Sequence, residues 1–233
     1  MKTSILAKIK RENARFEKTA PYNFCDRWCE KCPKKKRAGC RVYHEEFEKK
    51  LQHLANGRDP DDIYVMLDDL EKSLKGSTGA IDKWSKEEEV DLSELDAVEY
   101  NKSTAKHPLR QLALDYLDRV RNFLYESYDE NSRVEDSLFN FYETVHWYCM
   151  PIMSKSLIIL YSIEAGNFSS YCNAVSQIDI LKKACLQSQK ALNDISKQKI
   201  THRYQISALL GILRDISRQI KKIEKYIDNL PTL

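Results

Sequence analysis

The amino-acid sequence predicts an all-α protein, and three observations support this fold class. The 233 residues include only 6 glycines and 6 prolines, which leaves room for long helices and argues against many tight turns. Apolar residues recur at alternating spacings of three and four through the second half of the chain, which is the period of an amphipathic helix. With 42% hydrophobic and 31% charged residues, the composition is that of a globular protein rather than a disordered chain.

Residues 107–233 are expected to form an antiparallel four-helix bundle. The expected helices cover about residues 108–128, 132–165, 169–196 and 200–229, and the short connections between them favour antiparallel neighbours. Three apolar stripes are expected to face the core. They consist of Val134, Leu138, Phe141, Val145, Tyr148 and Ile152; of Ala174, Ile178, Leu181, Cys185, Ser188, Leu192 and Ile195; and of Leu209, Leu213, Ile216, Ile220, Ile223, Ile227 and Leu230.

The first hundred residues divide into three expected segments. Residues 1–21 are a basic arm or a short helix. Residues 22–76 hold a cysteine-rich segment and two short helices, the first ended by Gly57 in the left-handed conformation and the second ending near Gly76. Residues 77–106 form an acidic linker without a sustained period, and we place the domain boundary there.

The charge and hydropathy pattern predicts a cytoplasmic protein that does not enter a membrane. The net charge of +3 indicates no partner by itself. Residues 1–16 are too charged for a secretory signal, and the apolar stretch 150–163 contains Lys155 and is shorter than the roughly 20 residues that a membrane span needs. In a reducing compartment, clustered cysteines are more often metal ligands than disulfides.

Four cysteines form the strongest motif of the chain, with the spacing C-x3-C-x2-C-x7-C at Cys25, Cys29, Cys32 and Cys40. Four of the seven cysteines therefore lie between residues 25 and 40. Thiolates are soft ligands, and four of them suit Zn²⁺ or a [4Fe–4S] cluster. The spacing matches neither the two-knuckle zinc pattern nor the bacterial ferredoxin run, so both remain open, with zinc slightly favoured. Aromatic residues that are expected to shield the site from water are Tyr22, Phe24, Trp28 and Tyr43.

A run of basic residues between the third and the fourth cysteine is a candidate partner surface. It would contact an acidic protein or the phosphates of a nucleic acid. Two simpler interpretations are that these charges are only solvated, or that they offset the negative charge of four metal-bound thiolates. The run consists of Lys34, Lys35, Lys36 and Arg37.

Residues 24–33, with the sequence FCDRWCEKCP, resemble the N-terminal CDRWCExCP cysteine motif of a family of uncharacterised bacterial helical proteins. A downstream Glu-x3-Trp-Tyr stretch is matched by Glu143, Trp147 and Tyr148, and a late Ala-Leu-x-Gly-Ile-x-Arg stretch is matched by residues 208–214. This sequence has a longer gap before Cys40. The resemblance implies a helical fold with a cysteine-based site and brings no activity with it.

Other candidate sites are weaker. Glu143 and Arg214 are candidates for a buried polar pair between helices, which would serve specificity or a site but not obviously stability. Glu143 and His146 form one Glu-x-x-His motif, but a di-iron site in a helical bundle needs a second copy, which the sequence lacks. No Walker loop, dinucleotide fingerprint, HExxH motif or nucleophile elbow occurs, so the sequence names no catalytic residue.

The function predicted from these features is that of a metal-binding helical protein, with zinc or iron–sulfur, acting as a partner-binding or regulatory module. Two alternatives stay open. One is a nucleic-acid-binding protein that uses the basic cysteine segment, and the other is an iron–sulfur redox protein or enzyme. The sequence predicts no substrate, partner identity or oligomeric state.

Overall fold

A computed structural model describes residues 4–60, 62–87, 104–129, 136–198 and 202–230. Within these ranges the regular structure is entirely helical and no strand occurs, which confirms the all-α prediction. None of the described helices is both long enough and apolar enough to span a membrane. The chain divides into two compact units, and unit 2, Arg27–Glu99, interrupts the sequence of unit 1, Met1–Asp26 and Tyr100–Leu233.

The four long helices of the second half agree with the expected bounds to within a few residues. Residues 130–135, where the second of these was expected to begin, lie outside the described residues. In chain order the elements are α1 (Ile5–Thr19), a 3₁₀ helix (Pro21–Phe24), α2 (Lys34–Arg37), α3 (Arg41–Ala55), α4 (Ile63–Glu87), α5 (Pro108–Asp129), α6 (Asp136–Ala165), α7 (Phe168–Gln198) and α8 (Arg203–Asp228).

Unit 1 is held together by helices α5 to α8. Helix α5 packs against α6 and α8, and α7 packs against the same two helices, so that each of the four has two neighbours. The stripe predicted on α7 is buried along its whole length, from Ala174 to Ile195. On α6, the predicted stripe residues Leu138, Val145 and Ile152 are buried as well. The period of the apolar residues therefore predicted which sides of these helices face the core.

Helix α8 has the clearest apolar stripe. Six residues of the predicted stripe, Leu209 to Ile227, are buried, and the seventh, Leu230, is half-buried just after the helix ends. Ile216 and Ile220 are almost completely shielded from solvent. Such side chains contribute about 1.5–3 kcal/mol each when they move from water to a packed interior.

The turn between α6 and α7 is set by local chemistry. Gly166 has a φ of 68°, a left-handed conformation that glycine adopts without strain, and it ends α6 as predicted. Asn167 caps the start of α7, because its Oδ1 accepts from the backbone N–H of Ser170 at 2.8 Å and the Ser170 hydroxyl accepts from the Asn167 N–H at 3.1 Å. This reciprocal capping makes the tight connection that lets α6 and α7 pack along their length.

Helix α1 replaces the loose arm that was one of two expectations for residues 1–21. Its first two turns place Ile5 and Ile9 in the core of unit 1, while most of its other side chains are exposed. The helix packs against α7 and α8. Asn13 adds a directional contact, since its side-chain N–H donates to the carbonyl oxygen of Cys172 at 2.9 Å.

Unit 2 contains α2, α3 and α4. Gly57 follows α3 with a φ of 67°, which confirms the predicted left-handed cap.

The predicted end of the next helix near Gly76 was wrong, because α4 continues to Glu87. A glycine inside a helix costs only about 1 kcal/mol relative to alanine. The i,i+4 pairs Glu71–Lys75 at 2.6 Å and Lys83–Glu87 at 3.7 Å flank this stretch and favour continuation. Residues 88–103 of the predicted linker lie outside the described residues.

We expect Ile220→Ala to destabilise unit 1 by about 2–5 kcal/mol, because Ile220 is 1% exposed and its truncation leaves a cavity. The measurement is the free energy of unfolding in urea. Leu186→Ala is the matched control on an exposed position of α7 and should cost less than about 0.5 kcal/mol. Equal effects of the two substitutions would contradict the packing described here.

Candidate functional site

The four cysteines occupy two different structural settings. Cys25 follows the 3₁₀ helix of unit 1, and its thiol donates to the carbonyl oxygen of Tyr22 at 3.5 Å. Cys29, Cys32 and Cys40 belong to unit 2. None of the four is in a disulfide, and all four residues are half-exposed. A free thiol that reaches solvent is able to ionise and bind a soft metal ion.

Cys29 and Cys32 lie on one tight turn. Arg27, just before it, has a φ of 60°, which is uncommon for a residue with a side chain. The backbone N–H of Cys29 donates to the Arg27 carbonyl at 3.0 Å, and that of Cys32 donates to the Cys29 carbonyl at 3.2 Å. The C-x2-C spacing is thus folded into a hydrogen-bonded turn.

Cys40 immediately precedes helix α3. Its N–H donates to the carbonyl of Arg37, the last residue of α2, at 3.0 Å. Its own carbonyl accepts the N–H of His44 at 3.1 Å. The His44 ring Nε2 donates to the Ala38 carbonyl at 3.0 Å. His44 therefore closes the loop before Cys40, and this ring nitrogen is used for a backbone hydrogen bond rather than left for a metal.

The donor set fits a thiolate metal centre in its chemistry, because four cysteines outside any disulfide provide the soft ligands that Zn²⁺ and iron–sulfur clusters require. Within the described part of the chain, however, no three histidine, cysteine or acidic side chains are grouped so that they could hold a metal ion. The Cys29 sulfur lies 3.9 Å from a Glu46 carboxylate oxygen instead. The four-cysteine centre therefore stays a prediction.

Aromatic residues flank the cysteines, but only one of them is buried. Trp28 is 6% exposed, and the Lys31 ammonium lies 4.1 Å from the centroid of its ring. Tyr43 is half-exposed, stacks on Phe47 with ring centroids 6.2 Å apart, and has the Arg37 guanidinium 5.5 Å from its ring. Cation–π contacts of this kind contribute about 0.5–1 kcal/mol at exposed sites.

The basic run forms helix α2 of unit 2, and its three lysines are exposed. The fourth residue, Arg37, is half-buried through its contact with Tyr43. Three adjacent cations on one short exposed helix produce a concentrated positive potential. The candidate partner surface is therefore Lys34, Lys35 and Lys36, with Arg37 partly used in local packing.

An acidic residue inside the cysteine motif, which the sequence did not single out, fixes this part of the chain to unit 1. The Asp26 carboxylate is 9% exposed; it accepts a 2.6 Å hydrogen bond from the Tyr148 hydroxyl on α6 and pairs with the Lys183 ammonium on α7 at 2.7 Å. Burial, together with the adjacent carboxylate, raises the pKa of Tyr148 above its usual range, which keeps the phenol protonated as a donor. Asp26 is thereby held beside Cys25.

The expected buried polar pair of Glu143 and Arg214 is not supported by the burial of its members. Glu143 is half-buried on α6, whereas Arg214 is exposed on α8. Arg214 directly follows Leu213 in the buried stripe, and one residue turns a helix by about 100°, so its long side chain reaches solvent. A pair with one exposed member is not a buried pair.

The other three cysteines differ from the four in the motif. Cys149 and Cys185 are buried in unit 1, where burial raises the pKa of each thiol, to about 12 for Cys185. Buried neutral thiols pack as small apolar groups. Cys172 is half-buried on α7, and burial raises the pKa of its thiol also. Cys172 is therefore the appropriate control for substitutions in the motif.

Comparison of the chain with protein-family models, with curated proteins and with solved structures finds no match. The resemblance to bacterial proteins with the cysteine motif rests on the residues quoted above. Two of those stretches are connected in unit 1, because Asp26 of the motif accepts its hydrogen bond from Tyr148 of the Glu-x3-Trp-Tyr stretch.

We expect Tyr148→Phe to destabilise unit 1 by about 1.5–3 kcal/mol, because it removes a donor from a nearly buried carboxylate. Urea unfolding is the measurement. Tyr204→Phe is the control, since Tyr204 is 88% exposed and loses little with its hydroxyl. In an Asp26→Asn background the cost of Tyr148→Phe should shrink, and an unchanged cost would show that the two groups do not interact.

Proposed function

We propose that this chain is a metal-binding helical protein in which Cys25, Cys29, Cys32 and Cys40 hold one Zn²⁺ ion or one [4Fe–4S] cluster. The observation that carries the proposal is that four half-exposed cysteines, none of them in a disulfide, lie between residues 25 and 40. Zinc is slightly favoured. In the reducing compartment expected for this chain, such thiols stay available for metal rather than forming disulfides.

The bound metal would supply conformational order to the segment that carries the cysteines. Apart from Trp28 and the nearly buried carboxylate of Asp26, no residue between 21 and 44 is buried. Metal–thiolate bonds provide folding free energy where an apolar core is small. Sharing one ion requires each sulfur to lie about 2.3 Å from zinc, so binding would draw the four thiols into one coordination sphere.

The remainder of unit 1 serves in this proposal as a rigid scaffold. Helices α5 to α8, each with two neighbours, support an antiparallel four-helix bundle, as the sequence predicts. The tight α6–α7 turn at Gly166 supports the antiparallel arrangement of that pair. Asp26 gives the scaffold a direct restraint on the backbone next to Cys25.

The metal-bound segment is proposed to act through a partner that carries negative charge. The exposed lysines of α2 favour an acidic protein surface or a nucleic acid. For nucleic acid, the exposed Phe47 ring that stacks on Tyr43 is a further observation, because aromatic faces accept unpaired bases. An iron–sulfur redox role is the remaining alternative and depends on which metal is found.

We expect anaerobically purified protein to contain either about one zinc per chain, or about four irons with four acid-labile sulfides. Cys29→Ser should release most of this metal, because a four-thiolate site loses one of its ligands. Elemental and sulfide analysis makes the measurement, and visible colour separates the cluster from zinc. Hydrogen exchange at residues 22–43 should increase in the same variant.

The matched control is Cys172→Ser, which removes a half-buried thiol outside the motif and should leave metal content unchanged. Wild-type protein without zinc or iron would refute the metal proposal. Equal loss of metal from both serine variants would place the ligands elsewhere or indicate general unfolding, which the unfolding curve of each variant distinguishes.

We expect the triple substitution Lys34→Glu, Lys35→Glu, Lys36→Glu to weaken binding to single-stranded nucleic acid by at least tenfold, with a reduced dependence on salt. Metal content and melting temperature should change little, because the three side chains are exposed. Fluorescence anisotropy at two salt concentrations is the measurement.

The control for this surface is Lys221→Glu with Lys222→Glu, which reverses two exposed lysines on α8. Nucleic-acid binding that is absent in the wild type, or equally reduced by the control, would exclude this partner in favour of an acidic protein. Metal loss in the triple variant would show instead that these lysines compensate the charge of the thiolates.

A further inference from the structure

A cavity of about 530 Å³ opens in unit 1 between α1, the 3₁₀ helix and the start of α7. Its volume falls in the range of small-molecule sites. Three phenylalanines line it, and they come from three different elements: Phe16 from α1, Phe24 from the 3₁₀ helix and Phe168 from α7. Phe16 is 61% exposed, so this cavity presents a large apolar ring to solvent.

The wall of the same cavity on α7 is polar. Gln177 lines it and is 6% exposed, and its amide Oε1 has no hydrogen-bond partner within the described ranges. The Gln177 amide N–H donates to Ser176 at 3.3 Å and to Asn173 Oδ1 at 3.4 Å, which leaves the oxygen as the unsatisfied atom. A buried acceptor without a donor is costly, so a ligand N–H reached by a small rotation of this amide would be favoured.

A basic depression on α1 adjoins the cavity. Lys8, Arg11, Glu12 and Arg15 line it, and Lys8 and Glu12 line the cavity too. The spacing of the three cations places them on one side of the helix. The Lys8 ammonium lies 4.8 Å from the centroid of the Phe168 ring, and Glu12 pairs with Arg15 at 3.4 Å.

We propose that this cavity binds a nucleoside phosphate. The base would lie among Phe16, Phe24 and Phe168, because a planar heteroaromatic ring stacks on aromatic faces and its edge offers donors to amide oxygens such as that of Gln177. The phosphate would lie on the basic side of α1, where Arg11 is exposed. Glu12, between the two regions, is placed to accept from sugar hydroxyl groups, as acidic residues do in other nucleotide sites.

Simpler ligands would contact only part of the three surfaces of this site. A purely apolar molecule would use the phenylalanines but would leave the Gln177 oxygen unsatisfied and the cations without a role. A free phosphate would use the cations and leave the rings exposed. Only a ligand that combines a flat polar ring with an anionic group engages all three surfaces.

The test is isothermal titration of the full chain with adenosine 5′-monophosphate and with cytidine 5′-monophosphate, because the site does not determine the base. Adenosine and inorganic phosphate are separate arms. We expect at least one monophosphate to bind with a Kd below about 1 mM. Its nucleoside and inorganic phosphate should each bind at least about tenfold more weakly, because each lacks one set of contacts.

Two variants locate the site. Phe16→Ala should weaken monophosphate binding by about tenfold through lost stacking, and Arg11→Ala should do so with a smaller dependence on salt. The matched controls are Phe139→Ala on α6 and Arg203→Ala on α8, which are exposed residues outside the cavity. Both controls should bind as the wild type does, and all four variants remove exposed side chains, so folding should be retained.

Three outcomes overturn the proposal. The first is the absence of monophosphate binding at millimolar concentration. The second is equal binding of a nucleoside or of inorganic phosphate alone, which would leave an aromatic pocket or a basic patch. The third is binding that Phe16→Ala and its control Phe139→Ala affect equally.

Discussion

Burial of the apolar stripes on α6, α7 and α8 is the constraint on which the rest of unit 1 depends, because these stripes form most of the core between the helices. The stripes lie at the spacing that turns one side of each helix inwards. Once they are packed, α7 and α8 present a fixed surface to which α1 adds Ile5 and Ile9. The 3₁₀ helix and Cys25 then follow from a helix whose position is already determined.

Asp26 attaches to this fixed surface through a hydrogen bond and an ion pair rather than through apolar packing. A carboxylate that loses water requires hydrogen bonds and an opposite charge, which Tyr148 and Lys183 supply from two different helices. Desolvation offsets much of the attraction, so the net gain in stability is modest compared with that of a buried isoleucine. The two contacts also orient the carboxylate, since its oxygens must meet both the Tyr148 hydroxyl and the Lys183 ammonium. Asp26 therefore restrains where the cysteine motif leaves unit 1.

Local features were predictable from sequence, and contacts between distant residues were not. The stripe on α8 and the left-handed glycines at residues 57 and 166 depend on neighbours a few positions away, and the structure confirms them. The continuation of α4 past Gly76 was missed because a glycine and a pair of i,i+4 contacts have similar free energies of opposite sign. Asp26 and Tyr148 are 122 positions apart in the sequence, so no local sequence pattern predicts the hydrogen bond between them. The exposure of Arg214 follows both from its position one residue after the buried Leu213 and from the length of its side chain.

The two proposed sites meet where the 3₁₀ helix ends, because Phe24 is its last residue and Cys25 follows it. Phe24 lines the cavity, Cys25 is the first residue of the cysteine motif, and Asp26 is tied to α6 and α7. Phe24, Cys25 and Asp26 are consecutive residues, so a movement of the backbone here would reach both sites. A ligand that stacks on Phe24 and a metal that binds Cys25 would therefore act on the same three residues. Thermodynamic linkage makes any such effect reciprocal. If bound metal changes the affinity for the ligand by some factor, bound ligand changes the affinity for the metal by the same factor.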